Sequence, residues 1–372
     1  MDKRKVCMLS PIHQYHDTRV FYRTAKTLQN FGYNVTLFAK NKKKIEIIDN
    51  IVIKKTADVS NLFRFFYWFI LFVRAIKEKA DIYHLHNPDT IPIAICLKLF
   101  GKKVIYDTHE DFSQRILIRD WIPLFLRKTI ALIIHKLEKK LGKICDSMIV
   151  TQEQLQKKIP GSVLIKNAPV IDKSLLAEVE KESKKIKKKE KMIIYAGHIL
   201  SEKRGIKNMI KAVEYANKKV SIGFWLAGKM VSVSYYNELK AMSAWRYVDY
   251  LGFLRYEEAM AYTACADMGL AVIPDIADHQ FASANKLYEY QTFGIPFISS
   301  DFRLWKKELE KVNSGYFVSP DNIQAIGEKI IHLSGSRKTA YQMGANGKKY
   351  IEKEFNWNIE GQKLITLYED IL

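Results

Sequence analysis

Short apolar runs of strand length alternate with longer segments of helical periodicity, and the alternation resumes after one strongly charged interruption. Residues 5–11, 35–39, 82–85 and 104–106 read as strands before the interruption, and residues 192–196 and 297–298 after it. Strands that alternate with helices bury both faces of a parallel sheet, so the pattern predicts an α/β protein of doubly wound type. The interruption, DKSLLAEVEKESKKIKKKEK at 172–191, is basic and nearly free of aromatics. It reads as a solvated, partly helical connection between two domains; a tail for nucleic acid is the rival reading of its lysines. At 372 residues the chain exceeds what one core fills, which agrees with two domains.

The first βαβ unit limits the chemistry. Residues 13–19 form a polar loop, and Asp17 is a candidate N-cap for a helix with Val20, Ala25, Leu28 and Phe31 at helical spacing, ended by Gly32. The Gly-rich phosphate loop of a dehydrogenase is missing here, which argues against a nicotinamide cofactor. No cofactor is expected. Two later strands run into clusters of reactive side chains, His86-Asn87-Pro88-Asp89 and Asp107-Thr108-His109-Glu110-Asp111. Ligands of open parallel sheets bind beyond the carboxyl ends of strands, where both clusters fall. Glu110 and Asp111 invite a two-carboxylate hydrolase, but adjacent residues do not flank one bond from opposite sides.

The second half carries its own candidates. In ANKLYEYQTFGIPFISS at 284–300, Lys286 and Glu289 stand three apart and share a helix face. A cation for phosphate and an acid for a ribose hydroxyl suit a nucleotide; an ordinary surface ion pair is the plain alternative. Gly197, expected in a turn with His198, lets backbone approach a diphosphate, and a helix beginning near Gly205 aims its N-terminus there.

Composition narrows the compartment and the partners. The four cysteines are widely spaced in apolar segments with no CxxC, the pattern of buried thiols in a reducing compartment. The basic head is followed by an apolar run of only about four residues, short for a signal peptide, and no run approaches the roughly 18 a spanning helix needs. A cytoplasmic protein is expected. Of the formal charge of +20, residues 1–170 hold a surplus of about 15. Such a field attracts nucleic acid, anionic lipid or phosphorylated substrates alike. Residues 61–77, NLFRFFYWFILFVRAIK, are apolar on most helical faces between Arg64 and Arg74, so core packing and a helix in the bilayer interface both fit. Residues 116–143 mix Trp121, Leu124, Phe125, Leu132 and Ile133 with Arg119, Arg127, Lys128, Lys136 and Lys140, which favours membrane contact.

Asn285-Lys286-Leu287-Tyr288-Glu289-Tyr290 followed by Gly294-Ile295-Pro296 resembles the donor-site signature of the retaining glycosyltransferases of family 4. Five further segments match in order: HDTRVFYRTAKTL (16–28), DIYHLHNPDTIPI (81–93), KVIYDTHEDF (103–112), YAGHILSEKRGI (195–206) and YLGFLRYEEAMAYTACADMGL (250–270). The resemblance implies a GT-B fold, two Rossmann-like domains facing a central cleft. Residues 1–170 would form the acceptor-side domain, 171–191 the linker, 192–345 the nucleotide-sugar domain, and 346–372 a helix crossing back to the first domain. It implies transfer of a sugar from a nucleotide-diphosphate sugar, UDP before GDP, to a hydroxyl of a glycan or polyprenyl-linked acceptor in cell-surface polysaccharide synthesis. The anomeric configuration would be retained.

By the same resemblance His109 matches a histidine near the transferred sugar and Arg204 the cation on the diphosphate. Gly197, His198, Gly252, Leu254, Ala282, Ser283, Asn285, Lys286 and Glu289 complete the donor side; His16, Asp17, Arg19 and His86 are candidate acceptor contacts. A purely structural role, Asp17 capping and Arg19 pairing with it, stays open for the loop. Two departures stand out: His198 replaces a common arginine, and Phe281 stands where the best-known signature has an acid. Backbone N–H groups of residues 282–284 would then meet the donor sugar. No DxD-like pair appears in the donor region, so no metal is expected, and Arg204 and Lys286 offset the leaving diphosphate. The enzyme is expected at the inner face of the plasma membrane, with no nucleic-acid partner. A nucleotide-sugar epimerase of similar fold and a non-catalytic basic binding protein remain as alternatives.

Overall fold

The computed structural model describes residues 4–59, 64–117, 119, 122–188, 190–276 and 279–372. The chain divides into two units, Met1–Val170 with Trp357–Leu372, and Ile171–Asn356. In the first, β1 (Lys5–Gln14), β2 (Asn34–Lys40), β3 (Ile45–Ile48), β4 (Ile51–Lys55), β5 (Ile82–His86), β6 (Lys103–Thr108), β7 (Ser147–Val150) and β8 (Val163–Leu164) form one sheet. Its order is β3-β4-β2-β1-β5-β6-β7-β8, with only β3 antiparallel to its neighbour β4. In the second, β9 (Lys191–Leu200), β10 (Ile222–Met230), β11 (Val248–Gly252), β12 (Met268–Ala271), β13 (Phe297–Ser300) and β14 (Gly315–Val318) pair in parallel in the order β11-β10-β9-β12-β13-β14. Strand order therefore reverses between β1 and β5 in one sheet and between β9 and β12 in the other. Crevices for ligands open at such reversals.

Burial follows from the strand sequences. Val6 and Met8 of β1 face one way and Cys7 and Leu9 the other, all fully enclosed, so both faces of the first sheet need cover. One face packs on the helices Arg64–Ile76, Ile91–Leu99 and Leu124–Ile144. The other packs on the helical segment that starts at Thr18 and on the terminal helix Trp357–Ile371, through Val20, Phe21, Leu28, Leu364 and Tyr368. Trp357 Nε1 donates to Thr27 Oγ1 at 2.8 Å and Glu360 accepts from the Lys166 N–H at 2.8 Å, which fixes that helix to its own unit.

Several local expectations change. Residues 172–191 are not a solvated connection: Asp172 caps the helix Lys173–Ser183, and Leu175 and Val179 are buried where it packs on the helix Tyr256–Cys265 of the second unit. Two apolar residues four apart suffice to dock a helix that is otherwise charged. Residues 346–372 are not one element. The helix Arg337–Lys353 belongs to the second unit, and Asn356 caps its end by donating to the Ile351 carbonyl before the terminal helix begins. Strand β9 runs through Gly197 and His198 rather than turning there, because β10 continues beside it to Met230. Strand β1 likewise runs on to Gln14, taking His13 out of the expected loop. Of the aromatic stretch 61–77, residues 61–63 lie outside the described residues; Leu71, Phe72 and Ala75 are core, while Phe69 and Ile70 are exposed.

Gly344 lies inside the helix Arg337–Lys353, against the turn before β13. A Cβ there would stand 1.9 Å from the Gly294 carbonyl oxygen. Backbone cannot yield as a flexible side chain does, so Gly344→Ala is expected to cost the second unit about 1–3 kcal/mol. Calorimetry of the variant should show its transition several degrees lower.

Candidate functional site

In the second unit the residues singled out from sequence gather at the β9/β12 reversal. The helix Asn285–Thr292 is pinned there by Tyr290, whose hydroxyl donates to the Ile194 carbonyl at 3.2 Å and reaches the Leu270 carbonyl at 3.3 Å, one from each strand of the reversal. A side chain at Gly269 would strike the Tyr290 ring, so glycine makes room for this crossing. The first turns of the helix thus present Lys286 and Glu289, joined at 2.6 Å between Nζ and Oε2. Arg204 arrives from the other strand. The turn Glu202–Arg204 ends at Gly205, with φ of 71°, where a Cβ would sit 2.2 Å from the Val272 carbonyl oxygen. Only glycine tolerates both that dihedral and that approach.

Tyr195, on β9 beneath Gly197, senses all three charges. Burial pushes its hydroxyl above the ordinary range, Arg204 and Lys286 pull it down, and Glu289 pushes it up. Arg204, Lys286 and Glu289 therefore all act on the same buried hydroxyl, and Lys286 and Glu289 do so as a joined pair. A Cβ at Gly197 would lie 3.0 Å from the Tyr195 ring. His198 is exposed and meets Phe253 edge-on at 5.5 Å, and Phe253 lies between Gly252 and Leu254. The segment before the helix is held in place too. Trp305 Nε1 donates to the Ala282 carbonyl at 2.8 Å and Ser283 Oγ to Asn285 Oδ1 at 2.9 Å. The Ala282 N–H is taken by the His279 carbonyl at 3.2 Å, so of residues 282–284 only Ser283 and Ala284 keep backbone donors without an acceptor among the described residues. Phe281 closes the short turn His279–Phe281.

In the first unit a buried cluster lies at the ends of β5 and β6. The parallel register sets His86 beside Asp107, and His84 and His86, two apart, share a face. Asp107 Oδ2 lies 3.1 Å from Arg19 Nε, 3.6 Å from His84 Nε2 and 3.7 Å from His86 Nδ1. Asp107 Oδ1 lies 3.5 Å from His109 Nδ1. Burial alone would raise the Asp107 carboxyl, but Arg19 and the histidines hold it well below the carboxylate range. Burial lowers His84 and His86 and keeps both neutral. By composition, His84, His86 and Asp107 could hold a cation, their ligand atoms lying within 4.8 Å of one another. The guanidinium of Arg19 already supplies a positive charge at the same oxygen. The far side of His84 is closed by Tyr368 of the terminal helix, 2.8 Å from Nδ1.

The loop residues behave differently from one another. Asp17 does cap, accepting from the Arg19 and Val20 N–H groups at 2.9 and 3.1 Å. Arg19 does not pair with it and does not reach the surface: it is buried, bonded also to the Ile165 carbonyl, because only a guanidinium can serve several acceptors from inside. His86 is fully buried and open to no acceptor, whereas His16 is exposed. His109 lies at the rim, about 11% exposed, with its carbonyl held by Thr151 Oγ1 at 2.8 Å. Glu110 pairs with Arg115, and Asp111 is occupied by Lys158 and Ser113 while capping the next helix, so neither carboxylate is spare. A small pocket with room for little more than a water is lined by Ile12, Lys40, Trp68, Leu71 and Asp89 among others. Sequence reasoning passed over His13, His84 and Tyr368, and gave Asp107 no role of its own within its cluster. The H-x-H and D-x-H spacings on adjacent strands were the available signal for two of them.

Residues 18–168 match the family described as Glycosyltransferase Family 4, and residues 177–350 match Glycosyl transferases group 1. No curated protein matches the sequence. The fold is shared with sucrose-phosphate synthase from Thermosynechococcus elongatus, at 16% identity over 99% of each chain and a TM-score of 0.77. It is shared with Anabaena Alr3699/HepE in complex with UDP and glucose, at 12% identity over 99% of this chain and 100% of that one, with a TM-score of 0.74. A UDP-forming α,α-trehalose-phosphate synthase from Burkholderia xenovorans aligns over 99% of each chain at 12% identity and a TM-score of 0.67.

One buried group behind the His109 loop makes stability depend on pH. Thr108 Oγ1 donates to Glu138 at 3.0 Å, and burial pushes the Glu138 carboxyl up to about 8. Its folded value lies above its unfolded one, so the stability it contributes is complete below the unfolded value near 4.5 and is lost as pH rises toward about 8. Melting curves across that window should show the first unit weakening by up to a few kcal/mol, and Glu138→Gln should flatten the trend.

Proposed function

Because the chain belongs to the glycosyltransferases, with a Family 4 domain followed by a group 1 domain on the GT-B fold, we propose that it moves a sugar from a nucleotide-diphosphate sugar to a hydroxyl of a glycan or lipid-linked acceptor, with retained configuration, in cell-surface polysaccharide synthesis. The observation that carries the reading is that the Lys286–Glu289 pair and Arg204 all act on the buried Tyr195 hydroxyl of β9, beside the β9/β12 reversal. Two cations suit the diphosphate and the acid suits ribose hydroxyls. The second unit holds the donor, and Gly252, Phe253 and Leu254 lie toward the base. UDP is the preferred nucleotide, supported by relatives of this fold solved with UDP and UDP-glucose. With arginine and lysine at the leaving group, electrostatic stabilisation proceeds without a metal. His109 offers a ring nitrogen to a hydroxyl of the transferred sugar.

The acceptor belongs to the first unit, and a lipid-linked one is favoured by its surface. Leu99, Phe100, Leu124, Phe125, Leu132 and Ile133 are exposed on adjoining helices, Phe125 by 80% and Leu99 by 81%. Lys128, Lys136, Lys139, Lys140 and Lys143 are exposed on the same long helix. Apolar bulk beside cations is what an anionic bilayer surface binds. Trp121 lies outside the described residues. No helix among the described residues is long and apolar enough to cross a membrane, so the contact is peripheral.

A thermal-shift panel of UDP, GDP, ADP and CMP tests the donor. UDP is expected to raise the melting temperature most, and Arg204→Ala or Lys286→Ala to weaken its binding by about 10–100-fold, as for lost charged hydrogen bonds. A panel without any shift would sink the reading; sugar released with no acceptor product would favour the epimerase. For the membrane, flotation with anionic vesicles should recover the protein, and Leu124→Ser with Phe125→Ser should leave it at the bottom of the gradient. No flotation of the wild type removes the lipid contact and leaves the donor site untouched.

A further inference from the structure

We propose that Asp107 is a positioning residue that holds a proton of His109 on Nδ1, so that in the neutral ring Nε2 is left as an acceptor only. An ionised carboxylate has no proton to give, so the imidazole nitrogen facing it must be the one that donates. His109 Nδ1 faces Asp107 Oδ1 at 3.5 Å, while His109 Nε2 is enclosed beneath the rim and has no partner among the described residues. The carboxylate is not free to turn away. Its second oxygen is held by Arg19 Nε at 3.1 Å, and Arg19 is anchored in turn to the Ile165 carbonyl and Asn167 Oδ1. Its flanks are filled by His84 and His86, whose rings stack at 4.6 Å. The His109 backbone is tied by Thr151, so ring and main chain are both constrained.

The consequence is a rule about the ligand. A bare ring nitrogen binds a group that carries hydrogen, such as a sugar hydroxyl, and gains nothing from a carbonyl, a carboxylate or a deoxy carbon at the same place. Sites built around one buried hydrogen bond reject analogues lacking it by large factors. That His109 meets a sugar rests on the transfer reading; its proton position does not.

The test is ¹⁵N NMR of protein labelled at its nine histidines, at a pH where the His109 ring is neutral, with His109→Gln to assign the signal. The wild type is expected to show hydrogen on Nδ1. In Asp107→Asn the amide oxygen turns to Arg19 and its NH₂ faces the ring, so the His109 proton is expected to move to Nε2 and kcat/KM to fall by about 10–100-fold, as for the loss of one preorganised hydrogen bond. Tyr368→Phe deletes another buried bond of the same cluster and is expected to leave the His109 proton where it was. Hydrogen on Nε2 in the wild type, or a proton that stays on Nδ1 in Asp107→Asn, overturns the proposal. If Asp107→Asn does not fold, the wild-type spectrum decides alone. If the proton moves as expected and no variant transfers sugar, the transfer reading fails while the positioning role stands.

Discussion

A carboxylate without water is the constraint around which the first unit is arranged. Asp107 is wholly enclosed, and an isolated buried charge would cost several kcal/mol even after relaxation. Arg19 meets that cost from the segment after β1, on the far side of the β1/β5 reversal. The pair also decides what surrounds it. Burial keeps the neighbouring histidines neutral, and the cation already at Oδ2 acts in the same direction. Neutral rings can stack and accept hydrogen bonds, which is how His84 comes to lie between His86 and Tyr368. The terminal helix is therefore tied to the unit by more than its apolar stripe. It completes the polar interior of the sheet end, and Trp357 lies against the same Arg19 guanidinium at 5.6 Å.

The second unit solves a different problem with backbone rather than charge. To place cations at a strand end, two segments from opposite sides of a reversal must approach closely. Gly205 against the Val272 carbonyl and Gly269 against the Tyr290 ring are the two places where a side chain would prevent it. Ser300 secures the exit of β12 by bonding both the N–H and the carbonyl of Ile273 at 2.7 Å. The site is thus made from rigid elements, which is what fixed electrostatic stabilisation needs.

What the sequence disclosed follows from range. The parallel sheets, the strand-end clusters at 86–89 and 107–111, and the Lys286–Glu289 pair are local patterns with a period of two or of three to four residues, so they were legible. Arg19 was not. Its adjacency to Asp17 suggested an ion pair within the loop, whereas its partner lies 88 residues on, across two strands. Charge density misled at 172–191, because burial there depends on two residues, Leu175 and Val179, among many lysines and glutamates. The need for Gly344 was not legible either, since a glycine required by a distant carbonyl is indistinguishable in sequence from one that ends a helix. Tyr368 had no local signal; its hydroxyl matters only because the helix returns to His84.

On the proposed donor-site reading, the link between Lys286 and Glu289 bears on how a site with one fewer arginine would manage its charge. At 2.6 Å the two are already partnered, which looks like competition with an incoming diphosphate. Lysine has three donors on one nitrogen, however, and can keep the carboxylate while turning the others to phosphate oxygens. Glu289 then holds the ammonium in position instead of withdrawing it, and its second oxygen remains for a ribose hydroxyl. Arg204, with no acidic partner among the described residues, brings the charge that His198 does not. On that reading the diphosphate would meet one cation already held by a carboxylate and one that is not, and the carboxylate would offset repulsion between the two before the anion arrives.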